Sequence, residues 1–382
     1  MRVLVDATAI PADRGGVGRY LDSVLPAIAG LGVDLVVAAQ VRDAPATSAL
    51  LPGAEVVAAP GPVGRRPARL AWEQTGLPLL ARRTRADVLH SPHYTFPLAA
   101  PVPVVVTVHD ATFFSHPEVH LPVKRRFFRT WTRLAARSAA VLVTPSDATA
   151  REVTRYVGAD PRAFVVAHHG VDTTVFRPAS VADVSRVRRE LGLDGGYVAF
   201  LGTLEPRKNV PALVRAWVRV ATGRADAPAL VLAGARGWDE ELDGVVSAVP
   251  ADLRLVRPGY LPLADLAPLL AGAEVVAYPS LGEGFGLPVL EAMACGAAVL
   301  TTRELSLPEV GGDAVAYCGT SEDDIADALA DLLDAPERRA GLREAALQRA
   351  QGFTWTAAAE RHVDAYERAR RVGPRRGLRR PG

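Results

Sequence analysis

Short runs rich in Val, Leu and Ala alternate along the chain with longer amphipathic or Ala/Arg-rich stretches, and this alternation most constrains the fold. Strands that alternate with helices predict a parallel sheet covered on both faces, because parallel neighbours need a crossover connection. One series of apolar runs occupies residues 3–6, 35–39, 56–58, 88–90, 104–109, 141–145 and 164–167. A second occupies residues 197–201, 229–233, 253–258, 274–278, 298–301 and 314–317. Each series makes one complete sheet, and 382 residues exceed one ordinary core, so the predicted class is α/β with two domains. The turn-rich connection from Gly170-Val171-Asp172 to Phe176-Arg177-Pro178 sets the boundary, with domains at 1–177 and 178–353. Residues 354–367 are a predicted terminal helix packing across the domains, and 368–382 a predicted disordered basic tail.

Several function classes are excluded by composition. No stretch approaches the ~18 uninterrupted apolar residues of a membrane span. Met1-Arg2-Val3-Leu4-Val5-Asp6 enters a strand-like run without the marks of a secretory signal, so the expected location is the cytoplasm. Cys295 and Cys318 are the only cysteines and lack metal-ligand spacing; both are expected to be packed thiols. A net charge of +2 leaves no nucleic-acid footprint on the chain as a whole. The stretch 368–380 holds seven arginines and no acid, which reads either as a solvated tail or as an attraction to anionic lipid.

The segment from Ser280 to Gly296 carries most of the chemistry. It follows a strand, turns through Gly282, Gly284 and Gly286, and enters a helix with Pro288 in the first turn, where a missing N–H costs nothing. The backbone N–H groups of Phe285, Gly286 and Leu287 then lie at a helix N-terminus, which attracts anions and donates to ligand hydroxyls. Glu283 before the helix and Glu291 one turn inside it address one pocket from two levels, and carboxylates accept paired hydrogen bonds from vicinal hydroxyls. The plainer alternative makes Glu291 a support of its helix and Glu283 a solvated loop acid. Arg207 and Lys208 follow the run 197–201 at the carboxyl end of a strand, where parallel sheets bind ligands, and can neutralise a diphosphate. Gly15 and Gly16, after the first strand, let backbone approach phosphate; a dinucleotide fingerprint is set aside because Leu21 stands at the third glycine position. His109 ends the run 104–108 at another carboxyl edge, with Asp110 placed to orient it. His90, His93, His168 and His169 make no metal-ligand pair with nearby acids, and no metal is expected.

Glu283 through Glu291 resembles the acid-x7-acid signature of family 4 retaining glycosyltransferases, which share the GT-B fold. Gly202-Thr203-Leu204-Glu205-Pro206-Arg207-Lys208-Asn209 is similar to that family's donor-phosphate segment, and Gly170-Val171-Asp172 to its interdomain turn. The matches run from residue 1 to about 366. Two departures stand out: Gly282 replaces a frequent aromatic, and His168-His169 replaces a frequent Pro-Asn.

The resemblance implies two Rossmann-like doubly wound domains facing each other across a cleft, the first binding acceptor and the second binding a nucleotide-sugar. It implies Glu291 on the ribose, Glu283 with the Phe285, Gly286 and Leu287 backbone on the hexose, and Arg207, Lys208 and Gly202 on the diphosphate. Gly15 and Gly16 would face the donor phosphate, and His109 would contact the transferred sugar. The reaction expected is transfer of a hexose with retention, needing no cofactor beyond the nucleotide-sugar. GDP-mannose is the favoured donor, on the likeness of residues 89–94 and 107–110 to mannosyltransferases of surface-polysaccharide assembly. UDP-sugars stay open. The acceptor is a glycan or lipid-linked glycan bound by segments such as 60–69 and 113–129; in the latter, Lys124-Arg125-Arg126 beside Phe127-Phe128 suits either a peripheral contact with the inner membrane face or a solvated helix face. Two other readings are a nucleotide-sugar epimerase on the same fold, for which acid/base residues around the sugar C2 are not recognisable, and a non-catalytic sugar-nucleotide-binding scaffold, which the four charged site residues disfavour.

Overall fold

A computed structural model describes residues 1–11 and 14–374. The chain divides into two compact units, Met1–Gly170 with the segment from Thr354 onward, and Val171–Phe353. The division thus falls at 170/171, a few residues before the predicted 177/178, and the terminal segment belongs to the first unit.

The first unit holds a seven-stranded parallel sheet of β1 (Arg2–Asp6), β2 (Asp34–Ala39), β3 (Glu55–Ala58), β4 (Val88–Ser91), β5 (Val104–Thr107), β6 (Val141–Thr144) and β7 (Phe164–Val166), in the order β3-β2-β1-β4-β5-β6-β7. The second holds a six-stranded parallel sheet of β8 (Tyr197–Leu201), β9 (Ala229–Ala233), β10 (Leu255–Gly259), β11 (Val275–Tyr278), β12 (Val299–Thr302) and β13 (Ala316–Cys318), in the order β10-β9-β8-β11-β12-β13. Every predicted strand is present, shifted at its ends by at most two residues. Continuous apolar runs could be read as strands because both faces of a parallel sheet are covered: all five residues of β9 are buried, as are all four of β5. In each sheet the strand order reverses once, between β1 and β4 and between β8 and β11, and loops at that switch point open a crevice at the carboxyl edge.

Four helices matter for the site. α1 (Gly15–Gly30) begins at Gly15, so Gly15 and Gly16 form its first turn and not a free loop; Gly15 has φ +48° directly after Arg14 at φ +57°, a left-handed pair that turns the chain into the helix. α2 (Pro122–Ser138) and α3 (Leu287–Ala294) follow. α4 (Trp355–Val372) starts at Thr354, whose hydroxyl accepts from the Ala357 N–H at 3.1 Å. It continues five residues beyond the predicted helix, because Ala358, His362, Ala365, Tyr366 and Ala369 form one buried stripe at helical spacing. Arg368, Arg370 and Arg371 are therefore helical and no tail, and Arg368 donates to the Phe164 carbonyl at 2.9 Å. The remainder of the predicted tail, 375–382, lies outside the described residues. No helix of the described residues is long and apolar enough to cross a membrane.

Candidate active site

At the switch point of the second sheet, the loop after β8 meets the loop after β11. The first makes a short turn at Pro206–Lys208, so Arg207 and Lys208 leave a single turn side by side. The second loop is stitched to it: the Leu281 N–H donates to the Arg207 carbonyl at 2.9 Å, the Ser280 hydroxyl lies 3.0 Å from the same oxygen, and the Arg207 guanidinium donates to the Gly282 carbonyl at 2.7 Å. Glu283 lies between the cations. Its Oε1 accepts from Lys208 Nζ at 2.6 Å, from Ser280 Oγ at 2.8 Å and from the Tyr278 hydroxyl at 3.0 Å, while Oε2 accepts from Arg207. Glu205 pairs with the other side of Arg207 at 2.7 Å. Sequence reasoning gave the cations to one ligand group and Glu283 to another; the structure joins all three in one buried network.

Burial alone would push the Glu283 carboxyl up, but Arg207 and Lys208 outweigh it and hold it at about 2. Burial and the adjacent Arg207 lower Lys208, against the pull of Glu283 and Glu205. Two cations and two carboxylates balance, so the cluster stands ready formed with its charges fixed in place. Tyr278, Ser280 and Glu205 complete it, and none was singled out from the sequence: Tyr278 ends an apolar strand run, and a serine carries no local sign of a carboxylate partner.

The turn into α3 is set by Gly286 at φ +105°, and an added Cβ would also stand 2.9 Å from Leu307. Pro288 occupies the first helical turn as expected. The buried Ser306 hydroxyl lies 2.8 Å from both the Glu283 and the Phe285 carbonyls, fixing the loop that presents the Phe285, Gly286 and Leu287 backbone. Glu291 follows one turn inside α3 at 4 % exposure. Gly202 continues β8, its N–H donating to the Ala233 carbonyl at 3.0 Å. Beside this site, a depression of about 290 Å³ is lined by Leu204, Trp238, Asp239, Asp243 and Arg257. Its floor is a close backbone approach: a Cβ on Gly237 would stand 1.8 Å from the Leu204 carbonyl oxygen. Burial pushes the Cys295 and Cys318 thiols to about 12, which removes both as nucleophiles at neutral pH.

In the first unit, β5 stops at Thr107, and His109 lies two residues beyond it. The predicted run continued because Val108, although in the loop, is fully buried. His109 Nε2 stands 2.7 Å from the Pro92 carbonyl, so Nε2 carries the hydrogen and Nδ1 the lone pair. Burial lowers its basicity, with Pro92 and Asp110 acting the other way. Asp110 does not orient it: the Asp110 carboxylate accepts from the Thr112 N–H at 3.1 Å and the Thr112 hydroxyl at 2.8 Å, capping the following turn.

Two doubly wound α/β units, the second with a preformed acid–cation cluster at its switch point, have the architecture of the GT-B fold. The chain belongs to glycosyltransferase family 4: residues 14–175 match the family described as Glycosyltransferase Family 4, and residues 183–349 the one described as Glycosyl transferases group 1. It is 31 % identical to O-antigen chain mannosyltransferase B of Escherichia coli, over 79 % of this chain and 77 % of that protein. It is 34 % identical to D-inositol 3-phosphate glycosyltransferase of Kineococcus radiotolerans, over 60 % of this chain but only 57 % of that protein's length. In structure it resembles Anabaena HepE in complex with UDP-glucose, with a TM-score of 0.75 at 19 % identity, covering 95 % of this chain and 98 % of that one.

Proposed function

We propose that the chain transfers mannose from GDP-mannose, with retention of configuration, to a glycan or lipid-linked glycan. The observation that carries the transfer chemistry is the Arg207–Lys208–Glu283 network at the switch point. The cations would take the negative charge that grows on the leaving diphosphate, and their fixed positions mean little reorganisation is needed as it develops. Glu291 would hold the ribose, and Glu283 with the backbone at 285–287 the hexose. With Gly202 and the Gly15–Gly16 turn beside the phosphates and His109 toward the transferred sugar, these groups need neither metal nor cofactor. The mannosyl choice is supported by the E. coli relative, which matches over most of both chains. The inositol-phosphate relatives favour a second acceptor class.

The test is turnover and binding by the purified protein against GDP- and UDP-sugars, with EDTA present and absent. Selective turnover of GDP-mannose, unchanged by EDTA, is expected. Preference for a UDP-sugar would refute the donor, and loss of rate with EDTA the metal-free chemistry.

We further propose that α2 rests on anionic lipid. No acid occurs from residue 119 to 146, Arg126, Arg133 and Arg137 are exposed along one face of α2, and Leu121 and Val123 project beside them at 54 % and 81 % exposure. Phe128 is turned inward, stacked on Phe113 at 4.5 Å, so these apolar residues at the helix start replace it as the expected insertion point. Since each basic residue near a membrane is worth ~1 kcal/mol, Arg126→Glu with Arg133→Glu should cut binding to phosphatidylglycerol vesicles at least about tenfold at low salt. Equal sedimentation of variant and wild type with those vesicles would refute the surface.

A further inference from the structure

α4 packs in the first unit against α1 and the strands β4 to β7. It carries two polar side chains one turn apart into that interface, His362 and Tyr366, each with no exposed surface. Buried polar groups are costly unless hydrogen-bonded, and here every one has a partner. His362 Nδ1 lies 2.7 Å from the Ala358 carbonyl and so must carry the hydrogen, which leaves Nε2 as an acceptor. The Tyr20 hydroxyl, 2.6 Å from that Nε2, must then donate to it. Thr107 Oγ stands 3.5 Å from the Tyr20 oxygen, the loosest link, and 2.9 Å from His90 Nε2. His90 Nδ1 in turn lies 2.9 Å from the Tyr366 hydroxyl.

A single direction satisfies all five groups. Tyr366 donates to His90, His90 to Thr107, Thr107 to Tyr20, Tyr20 to His362, and His362 to the Ala358 carbonyl. Burial holds both histidines neutral, with His362 at about 4, and raises both tyrosines, so no member ionises near neutral pH. The chain of bonds therefore fixes geometry and carries no charge.

What it fixes is the ring of Tyr20, which meets His109 edge to face, with centroids 5.2 Å apart and planes at 80°. His109 is held by the Pro92 carbonyl through Nε2 and by Tyr20 against its ring. We propose that Tyr20 and His362, and through His362 the helix α4, are positioning elements for His109. They hold its Nδ1 lone pair in the direction from which it accepts a hydroxyl of the transferred sugar. This rests on the reading of His109 given above. Neither residue touches substrate in this scheme; each acts through the ring it steadies.

The experiment uses full-length Tyr20→Phe, His362→Phe, His362→Gln, Tyr366→Phe and His109→Ala, with GDP-mannose turnover, thermal melting and imidazole 15N shifts of histidine-labelled protein. Small displacements of a reacting group cost one to two orders of magnitude, so Tyr20→Phe and His362→Phe should lower kcat about tenfold with the donor KM within about twofold. His362→Gln keeps an acceptor for Tyr20 and should restore most of the loss. Tyr366→Phe, which reaches Tyr20 only through the 3.5 Å link from Thr107, should lower the melting temperature with a smaller loss of kcat than Tyr20→Phe. The 15N spectrum should show His109 as the Nε2–H form in wild type and broadened in Tyr20→Phe. An unchanged His109 signal and kcat in Tyr20→Phe would overturn the proposal, as would kcat falling in step with melting temperature in every variant. If His109→Ala is as active as wild type, the reading of His109 fails and this proposal with it; if His109→Ala is inactive and Tyr20→Phe is not, only the positioning role fails.

Discussion

Lys208→Ala is expected to lower kcat about a thousandfold with GDP-mannose, with a much smaller change in donor KM. A preorganised group aimed at developing charge acts on the transition state more than on the bound donor, and removing one typically costs two to three orders of magnitude. Lys208 qualifies because it is only 7 % exposed and its ammonium is anchored by Glu283 at 2.6 Å, with the Tyr278 ring 5.0 Å away. The same substitution leaves Glu283 buried with Arg207 as its one cation, so a stability loss of about 3 kcal/mol should accompany it. A control separates the two effects: Lys208→Met with Glu283→Gln removes both charges, and should recover stability without recovering activity. Recovery of activity in the double variant would show that the lysine acts only by neutralising the acid. The network also sets an acid limit. The Glu283 carboxyl is depressed from 4.5 to about 2, so its contribution is complete above about 4.5 and is lost as pH falls from there toward 2. Wild type should therefore lose stability in that window by on the order of 3 kcal/mol more than Glu283→Gln, measured by denaturant titration.

Glu291→Ala should weaken GDP binding about a hundredfold while changing kcat little. Two hydrogen bonds from vicinal ribose hydroxyls to a charged acceptor are worth about 3 kcal/mol together, and they exist equally before and during the reaction. Position matters as much as charge. Glu291 is fixed in α3 one turn behind Gly286, so Glu291→Asp, shorter by one methylene, should recover little of the affinity. Titration calorimetry with GDP reads this directly; wild-type affinity in Glu291→Ala would remove the ribose from this acid and with it the proposed placement of the donor.

The parts of the molecule that could be read from the sequence are those in which one physical cause acts alone. Strands such as β5 and β9 were visible because a sheet covered on both faces demands unbroken apolar residues. The same rule overextended β5 to His109, since burial of Val108 in a loop leaves the same trace as burial in a strand. α4 was cut short for the opposite reason: the arginines after Tyr366 are numerous enough to look like a tail, while the stripe that keeps them helical is carried by Ala365, Tyr366 and Ala369. At the site, Arg207, Lys208, Glu283 and Glu291 are recognisable by charge and spacing. Their pairing is not, because it depends on two loops far apart in the chain being stitched at Leu281 and Arg207. Tyr20 and His362 were hidden for a like reason, since residues 342 positions apart meet only once both helices are in place.

The place of α4 in the chain bears on how the molecule is made. The first unit is written in two pieces, with the whole of Val171–Phe353 between them. During synthesis the second unit is complete before α4 has emerged, so it can fold as a contiguous body while the first sheet waits with Tyr20, His90 and Thr107 uncovered. Closing the first unit then joins segments across a long intervening stretch, a cost that grows only with the logarithm of its length and falls further once that stretch is compact. α4 therefore closes the first unit after the second: a chain released before residue 354 would carry the Arg207–Lys208–Glu283 cluster intact and keep Tyr20 and Pro92, but lack His362, the acceptor that holds the Tyr20 hydroxyl.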